Sequence, residues 1–418
     1  MIDGIIVVFT YILYFFSLFF VTFWMVTLLT EDEAEGIETG DELMITICIP
    51  AFNEEKTITR TLTSVLQLDY PHDKVEVIVV NDGSSDNTQE ITEQLIKNSS
   101  DRNIVLINQE NKGKGAALNV AIDKCTGTYF VCMDADSTIE SNALRKMIPY
   151  YTSENVAVVL PCLKVEDTDN PNIFQKMQRY EYLVSMFYKE LMSRLDCIRV
   201  APGPFSMYKT DIVKKVGYFD ENNLTEDLEM AIRLQKHQYR LVQTFKTSVY
   251  TIAPRTFKAI YHQRNRWYKG SFLNTLGYRK MIFNRKFGDF GIMQMPITLI
   301  SGFLTLAVIG FLLYRITEPV FTKINNWSLI NYDIIPLIKT FSWNFSLLDL
   351  NYGMISVGVV LGIISIFVLK RAHSITGERV MKYGMIPLMF YMAVYFFILG
   401  VVWLGVAYDL VRKKQQRW

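Results

Sequence analysis

The chain has 418 residues, 50% hydrophobic, 13% aromatic and 20% charged, with mean hydropathy +0.15. That leaves room for two or three domain-sized units and excludes disorder, collagen and a disulfide-stapled miniprotein. Lys+Arg 43 against Asp+Glu 42 gives a net charge of +1, so no global field draws nucleic acid and no nucleic-acid partner is expected.

Apolar residues concentrate at the two ends. Residues 5–29 carry no charge and are long enough to cross a ~30 Å hydrocarbon core at ~1.5 Å per residue. Asp3 is the only early charge and bulky Phe, Trp and Leu fill the end, which favours a retained span over a cleaved leader. Residues 1–30 are therefore read as a transmembrane helix and 31–43 as an acidic connector. From residue 44 to 285 the texture is soluble α/β. Strands are predicted at 45–49, 75–80, 104–107 and 129–133, and helices at 55–68, 88–97 and 115–124. This alternation predicts a mostly parallel sheet with ligand loops at the strand C-termini. The helical, aromatic and basic stretch 173–195 fits either a membrane surface or a helix buried in the domain.

Residues 286–418 return to an apolar texture, with spans predicted at 292–314, 355–369 and 385–404. Asp333, Pro336, Lys339 and Asp349 interrupt 329–350, which suits an interfacial or re-entrant segment. Lys370, Arg371, Arg379 and Lys382 form one inside-type cluster; Arg412, Lys413, Lys414 and Arg417 form another. A single span between them cannot leave both inside, and the first cluster is the one assigned to the cytosolic side. The five cysteines (Cys48, Cys125, Cys132, Cys162, Cys197) make no CxxC pair and read as reduced, buried thiols. Four His without an HExxH pattern argue against a zinc enzyme.

Chemistry gathers at the predicted strand ends. The first is followed by Pro50-Ala51-Phe52-Asn53-Glu54-Glu55, with Asn53 placed to cap the next helix. The second ends Asn81-Asp82-Gly83-Ser84-Ser85-Asp86, whose carboxylates can accept from ring N–H and ribose hydroxyls, or cap a helix at Asp86. Asn111-Lys112-Gly113-Lys114-Gly115 opens a helix with glycines and two lysines, an anion-seeking arrangement or a solvated pair, and it lacks the NTPase phosphate-loop pattern. Asp134 and Asp136 fall on one side of a continuing strand. Their repulsion is relieved most simply by Mg²⁺ or Mn²⁺ bound with a diphosphate. Thr225-Glu226-Asp227 opens another helix, and Gln263-Arg264-Asn265-Arg266-Trp267 precedes a membrane segment; capping and interface anchoring are the plain alternatives.

Taken in order, these motifs resemble the membrane-integrated family-2 inverting glycosyltransferases of the processive type, which include the poly-β-1,6-N-acetylglucosamine, hyaluronan, cellulose and chitin synthases. The resemblance covers residues 44 to about 270. It implies a cytosolic GT-A domain, Rossmann-like and mostly parallel, flanked by transmembrane helices in a multi-pass protein of the plasma membrane. It implies that Ala51, Glu54, Asp82 and Lys114 line the nucleotide pocket, and that Asp134 and Asp136 bind metal and diphosphate. Asp227 would be the base, beside Glu226; Arg266 would face the diphosphate; Trp267 would pack beneath the acceptor sugar, with Gln263 completing QxxRW. Residues 201–205 would form a small-residue loop near the acceptor. Asn81 stands where relatives commonly have Asp. The implied donor is a UDP-sugar, the implied acceptor a growing β-linked polysaccharide most like poly-N-acetylglucosamine or hyaluronan, and the alternative a lipid acceptor receiving one or a few sugars. Trp267 and the Phe187–Tyr188 region offer sugar-stacking faces, or membrane anchors.

Overall fold

The computed structural model describes residues 2–29, 42–99, 101–329 and 352–412. The segment 330–350, most of the acidic connector and Lys413, Lys414 and Arg417 lie outside the described residues. The four predicted strands are present as β1 (Ile45–Ala51), β2 (Val75–Asp82), β3 (Asn103–Gln109) and β4 (Tyr129–Cys132). Four more complete the sheet: β5 (Ser137–Ile139), β6 (Val156–Val165), β7 (Ser206–Lys209) and β8 (Arg240–Thr251). The order is β3-β2-β1-β4-β7-β6-β8-β5. β3, β2, β1 and β4 run parallel; β7 is antiparallel to both β4 and β6; β6 and β8 are parallel to each other.

This topology collects the loops. The C-terminal ends of β1, β2 and β4 lie at one edge, where Ala51 is level with Asn81. Because β7 is reversed, its entrance is at that edge too, with Ser206 paired to Cys132. β1 and β2 are buried almost throughout, as hydrophobic runs covered on both faces must be. Helix α1 (Ile2–Leu29) precedes the sheet. The crossovers are α2 (Ile58–Leu66), α3 (Thr88–Asn98) and α4 (Lys114–Lys124). α2 buries Ile58, Thr61, Leu62 and Val65, one helical stripe. The short α5 (Ala143–Met147) is followed by α6 (Ile173–Arg194), α7 (Thr210–Val216), α8 (Glu226–Lys236) and α9 (Phe257–Gly277).

Among the described residues, α10 (Phe290–Ser328), α11 (Tyr352–Thr376) and α12 (Met385–Val411) contain the three stretches long and apolar enough to cross a membrane. α10 outruns its predicted end by 14 residues, through Arg315, Glu318 and Pro319. Its 39 residues extend about 58 Å, well beyond a ~30 Å core, so the charged end need not lie in hydrocarbon.

α6 is held between the sheet and the apolar helices. Leu183, Phe187 and Leu191 join a buried core with Val158 and Leu160 of β6, while the other flank meets α11 and α12. Tyr180 donates to the Val380 carbonyl (2.9 Å), Arg179 pairs with Glu378 (3.1 Å), Arg371 with Glu190, and Lys382 with Asp167. The first basic cluster thus sits on the sheet domain's side. α12 also keeps contact with the domain near its far end, where Tyr268 stacks on Trp403 (5.1 Å) and Lys269 meets Asp409 (4.0 Å). The two basic clusters therefore flank a helix that touches the domain toward both ends. Phe187 and Tyr188 face this junction, with Tyr188 edge-on to Trp24 and donating to Gln294 (3.0 Å). They lie apart from Trp267, which rests against the other buried core. All five cysteines are free and four are buried, as expected.

Gly127 tests the edge opposite the loops. A Cβ there would stand 2.5 Å from the Thr46 backbone nitrogen. Gly127→Ala should lower stability by about 1–3 kcal/mol, read as a lower melting temperature, with nucleotide binding of the folded fraction unchanged.

Candidate active site

The site is assembled where the parallel strands end. Asn53, in left-handed backbone (φ 57°), accepts from the Ser85 N–H (2.8 Å) and receives no bond from the next helix. Its predicted capping role is thereby corrected: it laces the β1 loop to the β2 loop. Asp86 accepts from the Thr88 N–H (3.0 Å), the expected cap, and also from the Glu55 N–H (3.1 Å). Ala51 is buried at the end of β1. Glu54 follows, its carboxyl raised by burial, with Asp134 and Asp86 adding to the rise. Asp82 is turned into the next loop, accepting from Lys112 N–H (2.9 Å), Gly113 N–H (2.8 Å) and Gln109 (2.7 Å). It shapes the entrance of α4 rather than projecting from the edge.

Lys114 opens α4 and is the centre of the cluster. Its ammonium pairs with Asp134 and lies 3.5 Å from Glu226. Burial works against the charge, but Asp134, Glu226 and Asp227 outweigh it and hold the pKa well above the ordinary lysine value. The 134–136 loop is fixed from both sides. The Asp134 N–H donates to Gly203 O (3.0 Å), Thr61 donates to Ala135 O (2.7 Å), and Arg60 to Asp136 O (2.7 Å). A Cβ on Gly203 would lie 2.6 Å from both Asp134 oxygens and would strike Lys114. Only glycine lets the 201–205 loop cover this pair. Asp136 is raised to about 6, by burial first and then by Asp134 and Glu54.

Glu226 and Asp227 form the first turn of α8, where carboxylates suit the helix dipole. Burial pushes Glu226 up to about 7, assisted by Asp227 and opposed by Lys114 and Arg266. Asp227 is raised by burial against the same two cations. Arg266 thus acts on both carboxyls. What brings it there is Gly270, one turn along α9: a Cβ would overlap Thr225. Asn274 completes the dock, donating to Thr225 Oγ1 (3.0 Å) and exchanging bonds with Asn223.

Arg264, a spacer position of the motif, is a residue that the sequence did not single out. It is fully buried, pairs with Glu181 of α6, and takes Gln263 as a further partner. Its guanidinium covers one face of Trp267, 4.1 Å from the ring centroid. Tyr395 of α12 donates to the same Glu181 (2.7 Å). Burial opposes the Arg264 charge, and Glu181 more than restores it. Its i,i+3 spacing to Trp267 is visible in the chain, but the partners are not.

No group of three or more His, Cys, Asp or Glu side chains forms a metal cage among the described residues. Asp134 and Asp136 nevertheless fit a hard divalent cation. The like charge that raises Asp136 is the repulsion a cation relieves, and Mg²⁺-type sites use one or two carboxylates plus substrate phosphates. Glu181→Ala should cost about 3–5 kcal/mol by stranding the buried Arg264 charge, and Glu181→Leu with Arg264→Met should recover much of it. Chemical denaturation of the purified variants checks both.

Residues 46–217 match the family model described as Glycosyl transferase family 2. A poly-beta-1,6-N-acetyl-D-glucosamine synthase of Staphylococcus epidermidis is 32% identical over 250 residues, 58% of this chain and 57% of that protein. The protein of that name from Staphylococcus aureus (strain COL) is 33% identical over 247 residues, 57% of this chain and 55% of its own. The chain therefore spans little more than half the length of these curated relatives. A mannosyltransferase from Pyrobaculum calidifontis, solved in complex with GDP-Man and Mn²⁺, superposes with a TM-score of 0.59 over 95% of both chains at 16% identity, a likeness of fold alone. The stretch that matches this family model lies in a mixed, mostly parallel Rossmann-like sheet with the GT-A fold, joined to apolar helices.

Proposed function

We propose that this chain is an inverting, metal-dependent glycosyltransferase. It would transfer a sugar from a UDP-sugar, UDP-N-acetylglucosamine by likeness to its relatives, to a growing β-linked polysaccharide and pass that polymer across the membrane. In this reading residues 44–285 are the cytosolic catalytic unit, and 1–30 with 286–418 anchor it in the plasma membrane. The observation that carries the proposal is the convergence of Lys114, Asp134, Glu226, Asp227 and Arg266 at one sheet edge, with Trp267 on the same helix as Arg266.

The chemistry follows from these charges. Asp227, supported by Glu226, takes the acceptor hydroxyl's proton as the new bond forms. Lys114 and Arg266 offset the charge that grows on the leaving diphosphate. Asp134 and Asp136 would hold Mg²⁺ or Mn²⁺, which supplies further stabilisation of that charge. Arg264 occupies one face of Trp267, so a sugar can stack on the other only. Attack opposite the leaving group converts an α-linked donor to a β-linkage. A second reading, transfer of one or a few sugars to a lipid, is favoured by one feature. An apolar cavity of about 270 Å³ between α1, α6, α11 and α12 is lined by Trp24, Phe187, Tyr188, Ile364, Val368 and Tyr391 and suits an acyl chain.

Asp227→Asn should lower turnover by about 100-fold or more, measured as UDP release; unchanged turnover contradicts the proposal. A base must be deprotonated and both carboxyls are raised, so the wild-type rate should climb with pH above the ordinary carboxylate range as the Glu226–Asp227 pair loses its proton. Asp134→Ala with Asp136→Ala should abolish the Mn²⁺-dependent gain in UDP affinity, and calorimetry showing that gain intact would remove the metal role.

A further inference from the structure

Lys189 is a half-buried residue whose ammonium is enclosed and which the mechanism above does not use. On α6 it follows Tyr182 by seven residues and Met186 by three, so the three share one helical face. Tyr182 and Met186 pack in the core that contains Cys162, Phe205 and Met207 and against which Trp267 rests. The neighbouring positions are committed elsewhere: Tyr188 donates to Gln294, and Glu190 pairs with Arg194 and Arg371. The Lys189 Nζ is enclosed and has no hydrogen-bond partner among the described residues.

Its electrostatic neighbours are Cys162 of β6 and Asp227 at the head of α8. Cys162 is no counter-ion, because burial pushes its thiol up to about 12. Burial draws the Lys189 ammonium down to about 8, against which Cys162 and Asp227 act. An ammonium has three donors and no acceptor. Leaving all three unmet inside a protein is costly, and buried polar groups are otherwise paired almost without exception. A partner that arrives with the substrate resolves the cost. In the transferase reading the Trp267 side of the site receives the acceptor, and Lys114, Asp134 and Asp136 serve the donor.

We propose that Lys189 is an acceptor-binding residue, its ammonium donating to a hydroxyl or acetamido oxygen of the saccharide unit that stacks at Trp267 and presents its reacting hydroxyl to Asp227. The inference rests on the transferase reading and deepens it. It makes the acceptor pocket selective for a sugar carrying an oxygen substituent at that point.

The test uses the full chain in lipid nanodiscs, with Lys189→Met and Lys189→Arg. UDP release from UDP-N-acetylglucosamine is followed against free N-acetylglucosamine, glucose and their short β-linked oligosaccharides as acceptors. UDP binding and melting temperature are recorded alongside. Lys189→Met should melt no lower than wild type, because it removes an unpaired buried charge. It should bind UDP within twofold of wild type and raise the acceptor KM at least tenfold, with Lys189→Arg recovering part of the loss. A wild-type acceptor KM in Lys189→Met overturns the proposal and leaves water as the lysine's partner. Falling melting temperature and UDP affinity together overturn it in favour of a structural lysine. Wild-type protein that releases no UDP with any acceptor overturns the transferase reading itself, an outcome distinct from both.

Discussion

Lys114 holds together carboxylates that would otherwise drive their segments apart. Asp134 ends the strand loop after β4, Glu226 and Asp227 begin α8, and the lysine that joins them begins α4. Burial raises Glu226 and Asp227, and the Lys114 ammonium, with Arg266 from α9, opposes that rise. The remaining architecture serves this meeting. Parallel strands bring β1, β2 and β4 to one edge, the reversed β7 brings Gly203 over the ion pair, and Gly270 lets α9 close on Thr225.

The same helix ties the charge cluster to the apolar part of the chain. Arg264 meets Glu181 of α6 and lies on Trp267, while Tyr395 of α12 reaches Glu181. A shift of α12 would therefore be felt at the indole through three successive contacts, Tyr395–Glu181, Glu181–Arg264 and Arg264–Trp267. Packed interfaces respond in discrete steps rather than continuous bends, so this linkage gives a route by which the apolar helices and the acceptor platform keep register.

Much of this was legible in the chain. β1, β2 and β4 are continuous apolar runs ended by polar loops, and the acidic, basic and aromatic motifs fall where those runs stop. The second half of the sheet was hidden for physical reasons. β8 buries Gln243, Thr244, Thr247 and Ser248 and so displays no hydrophobic pattern, while the apolar run of β6 is broken by Pro161 and a register shift between Leu160 and Cys162. Asn53 looked like a cap because its partner, Ser85, is 32 residues away. Arg264 stands at a spacer position of its motif, and its partner Glu181 lies 83 residues away. Each miss depends on a tertiary neighbour that a local pattern cannot supply.

The central claim is that a sugar leaves a UDP donor at the Lys114 cluster and joins an acceptor beside Trp267. Its most direct test is to size the labelled product made by the purified chain in lipid nanodiscs. UDP-N-acetylglucosamine, UDP-glucose and UDP-glucuronate would be supplied singly and in pairs with Mg²⁺ or Mn²⁺. The account predicts label from UDP-N-acetylglucosamine alone in a long, β-linked product. A short, lipid-extractable product would instead select the second reading, and UDP binding without transfer of any label to any acceptor would contradict the account.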